Sequence, residues 1–280
     1  MTSFRIATAF ALTAVLAACE PAAPPANPDQ PGAQATATAA TSTASPETPA
    51  PVAVSDAIRA VVAAADRSED DRKLDDGRHP GEMLTFYGIA PGMKVAEIGA
   101  GGGYTSELLA RAVGPSGVVY GQNTKLLLER FAEKPWSARL AKPVMKNVVR
   151  VDREFDDPLP PEAKNLDAVI IVLFYHDTVW LKADRGKMNA AIFNALKSGG
   201  VYAIIDHSGR AGSGTSETET LHRIEEKAVR DEVEKAGFKL AAEASFLRNP
   251  ADTRDWNASP MKAAERRGTS DRFVLKFVKP

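Results

Sequence analysis

The sequence predicts an α/β fold. It reads as one Rossmann-like, doubly wound domain over residues 55–280, with a mostly parallel sheet of seven strands and an antiparallel C-terminal hairpin. Three observations carry that prediction. Short apolar runs alternate with helical patterns from residue 94 onward, the order that builds a parallel sheet. One of these runs, Leu166–Tyr175 (LDAVIIVLFY), is almost continuously apolar, as a strand covered on both faces must be. The junction Val95–Ala110 (VAEIGAGGGYTSELLA) places Gly99, Gly101, Gly102 and Gly103 between a strand and a helix, where open α/β sheets bind ligands.

Each element follows from local pattern. Ser55 reads as the N-cap of a helix whose apolar residues recur at helical spacing (DAIRAVVAAADR). Asp75–Met83 (DDGRHPGEM) reads as a solvated charged loop, with Arg78 and His79 folding over a cofactor as the second reading. A helix covers Pro80–Tyr87, where Pro80 suits the first turn and Gly88 the stop. Pro91-Gly92-Met93 turns the chain into the strand KVAEIGA, and Tyr104–Val113 is the next helix. GVVYGQN is a strand. Thr124 to Lys142 is helical, with Pro135 breaking or kinking it. NVVRVD and LDAVIIVLFY are strands. Asp184–Lys197 is a helix stopped by Ser198-Gly199-Gly200, and VYAIIDH is the fifth strand. Glu219–Gly237 reads as one helix. FKLAAEASF and RFVLKFVK close the chain with no long helix between them, hence an antiparallel hairpin at one edge. Their connection, 247–270, is long for a loop, and such loops often carry function.

The N-terminal part is a different material. Residues 1–18 combine Arg5, a short apolar run and small residues, the pattern of a secretory signal peptide. The run falls short of the roughly 20 residues that span a bilayer. Leu16-Ala17-Ala18-Cys19 resembles a bacterial lipobox, which implies cleavage before Cys19 and lipid attachment there. The expectation is an exported lipoprotein, anchored in a membrane through Cys19 and facing the periplasm, with inner versus outer membrane undecided. Residues 19–54 are rich in Pro, Ala, Thr and Ser and too poor in apolar surface to order themselves, so they read as a tether.

Composition narrows the function. A net charge of −1 lacks the basic excess of a dedicated nucleic-acid binder, so no nucleic-acid partner is expected. A single cysteine excludes an internal disulfide and a cysteine metal cluster. His79, His176, His207 and His222 show no zinc-like spacing, so no metal is expected.

The glycine loop suggests a cofactor. Glycines let the backbone turn sharply and come close to a ligand, and the following helix aims unpaired N–H groups at the same point. Tyr104 follows Gly103, so the dinucleotide fingerprint G-x-G-x-x-G is not completed. The pattern Glu97-Ile98-Gly99-x-Gly101-x-Gly103 after PGMKV is similar to motif I of class I S-adenosylmethionine (SAM)-dependent methyltransferases. LDAVIIVLFYHD resembles their fourth strand and motif IV, and ALKSGGVYAIIDHS their fifth strand and the turn before it. YHDTVW and IDHS resemble stretches of a group of predicted exported methyltransferases. The resemblance implies that Glu97, Gly99, Gly101, Gly103 and Tyr104 surround the methionine part of SAM. It puts Asn123 where the family usually has an acid on the ribose, a departure that replaces a charge-assisted contact by a neutral one. It puts Asp152 near adenine, to within a residue or two.

Chemistry is expected at the carboxyl ends of the strands, where Tyr175-His176-Asp177 and Asp206-His207-Ser208 fall. A base helps when the methyl acceptor is a hydroxyl, and histidine suits that role. His176 or His207 is the expected base, and Asp177 or Asp206 its orienter. Gly209–Thr220 reads as a lid or a plain linker. Trp180 and Trp256 read as core or acceptor-site lining, and His222 is placed in a charged helix without a role. The acceptor, a small molecule or a lipid, is not selected by any motif. SAM is made in the cytoplasm and is charged, so an exported enzyme meets it only by an unusual route. Three readings stay open: a methyltransferase, a binding module that has lost SAM, and another enzyme using the same pocket.

Overall fold

The computed structural model describes residues 51–280. The expected signal peptide, Cys19 and nearly all of the expected tether therefore lie outside the described residues. The strands are β1 (Lys94–Ile98), β2 (Val118–Asn123), β3 (Val148–Asp152), β4 (Leu166–Val172), β5 (Leu196–His207), β6 (Lys239–Ala244) and β7 (Arg272–Val278). They form one sheet in the order β3-β2-β1-β4-β5-β7-β6. The pairings from β3 across to β5 are parallel, and β7 runs antiparallel between β5 and β6. The strand order reverses between β1 and β4, so the ligand crevice lies above their carboxyl ends.

Alternation along each strand feeds two cores. Val95 of β1 and Ala168 and Ile170 of β4 face one side, with α1 (Asp56–Val62), α3 (Pro80–Tyr87) and α4 (Tyr104–Val113). Ala96, Ile98, Val169 and Ile171 face the other, with α8 (Arg185–Ala195) and α10 (Glu226–Lys235). Both faces of the central strands are thus covered, which is why their sequences are almost wholly apolar.

Three local readings change. Glu69–Arg78 is a helix, α2, rather than a solvated loop. Ser68 caps it and Glu69, Asp70 and Asp71 fill its first turn, so the terminal signals are strong even though Leu74 is its lone apolar residue. Its inward face is ionic: Asp71 pairs with Arg139 and Asp75 with Arg67. The stretch after β2 is α5 (Lys125–Leu127), a wide π turn over Leu128–Ala132, and α6 (Glu133–Leu140). The wide turn ends just before Pro135, whose ring and missing N–H are incompatible with a regular helical turn. The expected single helix over Glu219–Gly237 is split into α9 (Thr218–Leu221) and α10. Between them Ile224 donates its N–H to His207 and accepts from Gly209, which ties the segment to the end of β5. A further α-helix, α7 (Tyr175–Trp180), follows β4. No helix among the described residues is long and apolar enough to cross a membrane.

Candidate functional site

The glycine loop closes over the end of β1. The N–H of Gly99 donates to Gln122 Oε1 at 2.9 Å and that of Ala100 to the Gln122 carbonyl at 2.8 Å. Two glycines are needed for packing. A Cβ on Gly99 would lie 2.7 Å from the Phe174 ring, and one on Gly103 2.4 Å from Trp136. Gly101 differs: its φ of +56° is left-handed, and nothing lies within 4 Å of where a Cβ would be. Gly101 is the point at which the loop backbone is bare toward open space.

Beneath the loop, Glu97 is buried, with 3% of its surface exposed, and accepts a hydrogen bond from Ser106 Oγ in the first turn of α4. Burial pushes its pKa up to about 7, against the opposing pull of the Ser106 and Thr105 hydroxyls and the nearby Arg78 guanidinium. Tyr104 donates its hydroxyl to Asp75 at 2.6 Å, and its ring carries Arg78 at 4.4 Å from the centroid. Arg78, at the end of α2, has no hydrogen-bond acceptor among the described residues, and burial lowers its pKa. It is a cation beside the loop that is ready for an anion.

The two His/Asp pairs meet across the strand ends. Asp206, fully buried at the end of β5, accepts from the His176 backbone N–H at 2.7 Å and contacts His176 Nδ1 at 2.7 Å. His176 Nε2 faces Asp177 Oδ1 at 3.1 Å and His222 Nδ1 at 3.2 Å. Burial alone would lower the His176 pKa, but Asp206 and Asp177 outweigh it and raise it to about 10. His207 is the opposite case. Burial and the neighbouring cations Arg272, His176 and Arg223 keep it neutral. Its Nδ1 lies 2.7 Å from Ser270 Oγ, and its Nε2 has no hydrogen-bond partner among the described residues. Of the two expected bases, the structure keeps His207 neutral and makes His176 the cation of a His–Asp pair.

The expected nucleoside contacts are placed differently from one another. Asn123 ends β2 against the loop as expected, but its amide is engaged: Oδ1 accepts from Gly101 N–H at 2.8 Å and Nδ2 donates to Gly101 O at 3.2 Å. It clamps the loop instead of facing open space. Asp152 pairs with Arg150 on the exposed side of β3. Two residues on, a cavity of about 250 Å³ opens between Thr124, Glu154, Phe155 and Lys182. A larger cavity of about 740 Å³ lies at the amino ends of the strands, between α1 and the end of α4, and holds none of the candidate residues.

The comparisons with known proteins bear on this geometry. Residues 78–148, from the end of α2 through the glycine loop to the start of β3, match the sequence profile of the Protein-L-isoaspartate(D-aspartate) O-methyltransferase family. No curated protein sequence matches the chain. A solved SAM-dependent methyltransferase from Aquifex aeolicus superposes with a TM-score of 0.51 at 19% identity, covering 75% of this chain and 97% of that one. An arsenic (III) S-adenosylmethionine methyltransferase from Chlamydomonas reinhardtii gives 0.50 at 16% identity, covering 81% and 75%. The fold is that of the SAM-dependent methyltransferases.

In that methyltransferase fold, two candidate residues stand differently from their sequence reading. Arg78 beside the loop agrees with the second reading of its segment and not with the solvated loop, because α2 has no apolar period to announce a packed helix. His222 was hidden because the charged pattern from Glu219 to Gly237 reads as unbroken. The backbone of His222 is left-handed, φ +50°, and this turn swings its ring against His176, 5.3 Å between centroids.

Proposed function

We propose that the protein transfers a methyl group from SAM to a nucleophilic acceptor bound beside the histidine cluster. The observation that carries this reading is Gly101, a bare left-handed backbone turn at the switch point of a methyltransferase sheet. The donor set fits the cofactor's charges. Glu97 and the loop suit the ammonium end of the methionine part, and Arg78 suits its carboxylate. The cavity at Thr124, Glu154 and Phe155 suits the nucleoside half. Bound SAM supplies an electrophilic methyl on a sulfonium. The chain's own work is to align the acceptor with it and to take the acceptor's proton. His207 takes that proton at Nε2 in the tautomer that donates from Nδ1 to Ser270. Calorimetric titration of SAM and S-adenosylhomocysteine tests the reading. Micromolar binding of both is expected, and no binding at millimolar ligand would leave a methyltransferase fold without its cofactor.

The protein is further proposed to be anchored to a membrane by lipid on Cys19, facing the periplasm; the support is the lone cysteine placed after Leu16-Ala17-Ala18. Cys19→Ala should abolish incorporation of labelled fatty acid and shift the protein from the membrane to the soluble fraction. Labelling that persists in the variant would refute the anchor.

A further inference from the structure

We propose that His176, Asp177 and His222 form a site for one divalent ion of the zinc, cobalt or iron(II) class. Their ligand atoms draw a nearly equilateral triangle. His176 Nε2 to Asp177 Oδ1 is 3.1 Å, His176 Nε2 to His222 Nδ1 is 3.2 Å, and His222 Nδ1 to Asp177 Oδ1 is 3.2 Å. Ligands bound at about 2.0–2.1 Å around a tetrahedral ion lie about 3.3 Å apart. The three atoms therefore need only a slight spread to become one face of a coordination shell. Protons satisfy the triangle less well. With Asp177 ionised, at most two ring protons serve three edges, and one edge is always left with two like groups facing each other. An ion takes all three lone pairs at once.

The surroundings resemble a supported site. The His176 ring is fixed from behind by Asp206 at 2.7 Å from Nδ1, the carboxylate–histidine arrangement that orients metal ligands and raises their basicity. Trp180 Nε1 donates to Asp177 Oδ1 at 2.7 Å, which holds the carboxylate in place. Two imidazoles and one carboxylate favour a borderline transition ion over magnesium or calcium, which prefer all-oxygen shells. The His222 and Asp177 side chains keep 23% and 15% of their surface exposed, so the remaining coordination positions are reachable from solvent. Two non-glycine residues in left-handed backbone, Leu173 and His222, lie on the segments that deliver the trio, and such strain collects at functional sites.

Phe174, two residues before His176, packs on Gly99 of the cofactor loop, so the ion would sit next to the methyl-transfer site. Resting on the methyl-transfer reading, this makes the acceptor a molecule with an oxygen that can ligate the ion and be acidified by it.

The probe is Co²⁺ alone, titrated into the purified protein and followed by its visible d–d absorption, with Zn²⁺ as competitor. One ion per chain is expected, displaced by Zn²⁺. His222→Asn keeps a residue that tolerates the left-handed backbone but offers only a poor ligand for such ions. It and Asp177→Asn should each weaken binding by more than about 100-fold, beyond the loss typical of an outer-shell change. His79→Asn, whose ring contacts Glu82 and Phe246 and none of the three ligands, should bind as the wild type does. Absence of a d–d band, or wild-type affinity in His222→Asn, overturns the site. SAM titration is read separately on the same proteins, so failure of the metal site leaves the methyl-transfer reading standing, and the reverse holds too.

Discussion

Replacing Gly101 with valine should raise the Kd for SAM and S-adenosylhomocysteine at least about 100-fold, a loss of about 2.7 kcal/mol, while the protein stays folded. The reason is the empty space at this residue: nothing lies within 4 Å of its missing Cβ, so in the free protein the side chain starts out into open space. Its branched side chain would fill the volume the cofactor needs. The left-handed backbone at φ +56° adds strain of about 1–3 kcal/mol, seen as a melting temperature lowered by less than about 10 °C. Gly88→Val is the matched control. Gly88 is also left-handed, φ +73°, also has nothing within 4 Å, and caps α3 away from the loop. It should lose similar stability and keep its affinity. Binding within a few-fold of wild type in Gly101→Val would show that the loop is not the cradle. Gly103 makes the contrast clear, because a side chain there meets Trp136 first and would act on folding instead.

How much of this was legible in the sequence depends on the range of the interactions. The strands and their parallel order were legible because β4 and its neighbours are apolar on both faces, and the glycine loop because it is a local pattern. That Glu97, His176, Asp177, Asp206 and His207 fall at or beside the carboxyl ends of strands was legible because strand ends are easy to place. Their partners were not legible. That His176 pairs with Asp206, thirty residues on, follows from β4 lying beside β5, which no local pattern states. His222 was unreadable for the same reason. The helix breaks there because Arg223 is buried in an ion pair with Asp252, and because Ile224 bonds to the end of β5. Nothing between Glu219 and Gly237 announces either contact. That Asn123 ends β2 was legible, but its engagement with both polar groups of Gly101 in place of the expected ribose is a property of the folded loop. α2 shows the limit of apolar periodicity, since its buried face consists of carboxylates that pair with arginines.

The stability of the protein should fall as pH rises from about 4.5 to about 7, in a component that Glu97→Gln removes. The pKa of Glu97 is raised in the folded state from 4.5 to about 7, chiefly by burial. The native state therefore holds a proton that the unfolded chain has already released, and unfolding is opposed most strongly below pH 4.5. Across the window the loss is about 3 kcal/mol at 1.36 kcal/mol per pH unit. Glutamine keeps the shape and neutrality of the protonated form, so the difference between wild type and variant isolates this residue from the many carboxylates with lowered pKa values. Denaturant midpoints measured at pH 5 and at pH 8 check it, and parallel profiles would show that Glu97 is ionised throughout. The same group links protonation to the proposed cofactor. A cation seated beside Glu97 favours the carboxylate, so binding SAM at pH 6 should release up to one proton, and at pH 8 almost none. Titrations in two buffers of different ionisation enthalpy count that proton. In Glu97→Gln it should vanish and SAM should bind more weakly, whereas a variant that still releases it would place the cofactor's ammonium end elsewhere.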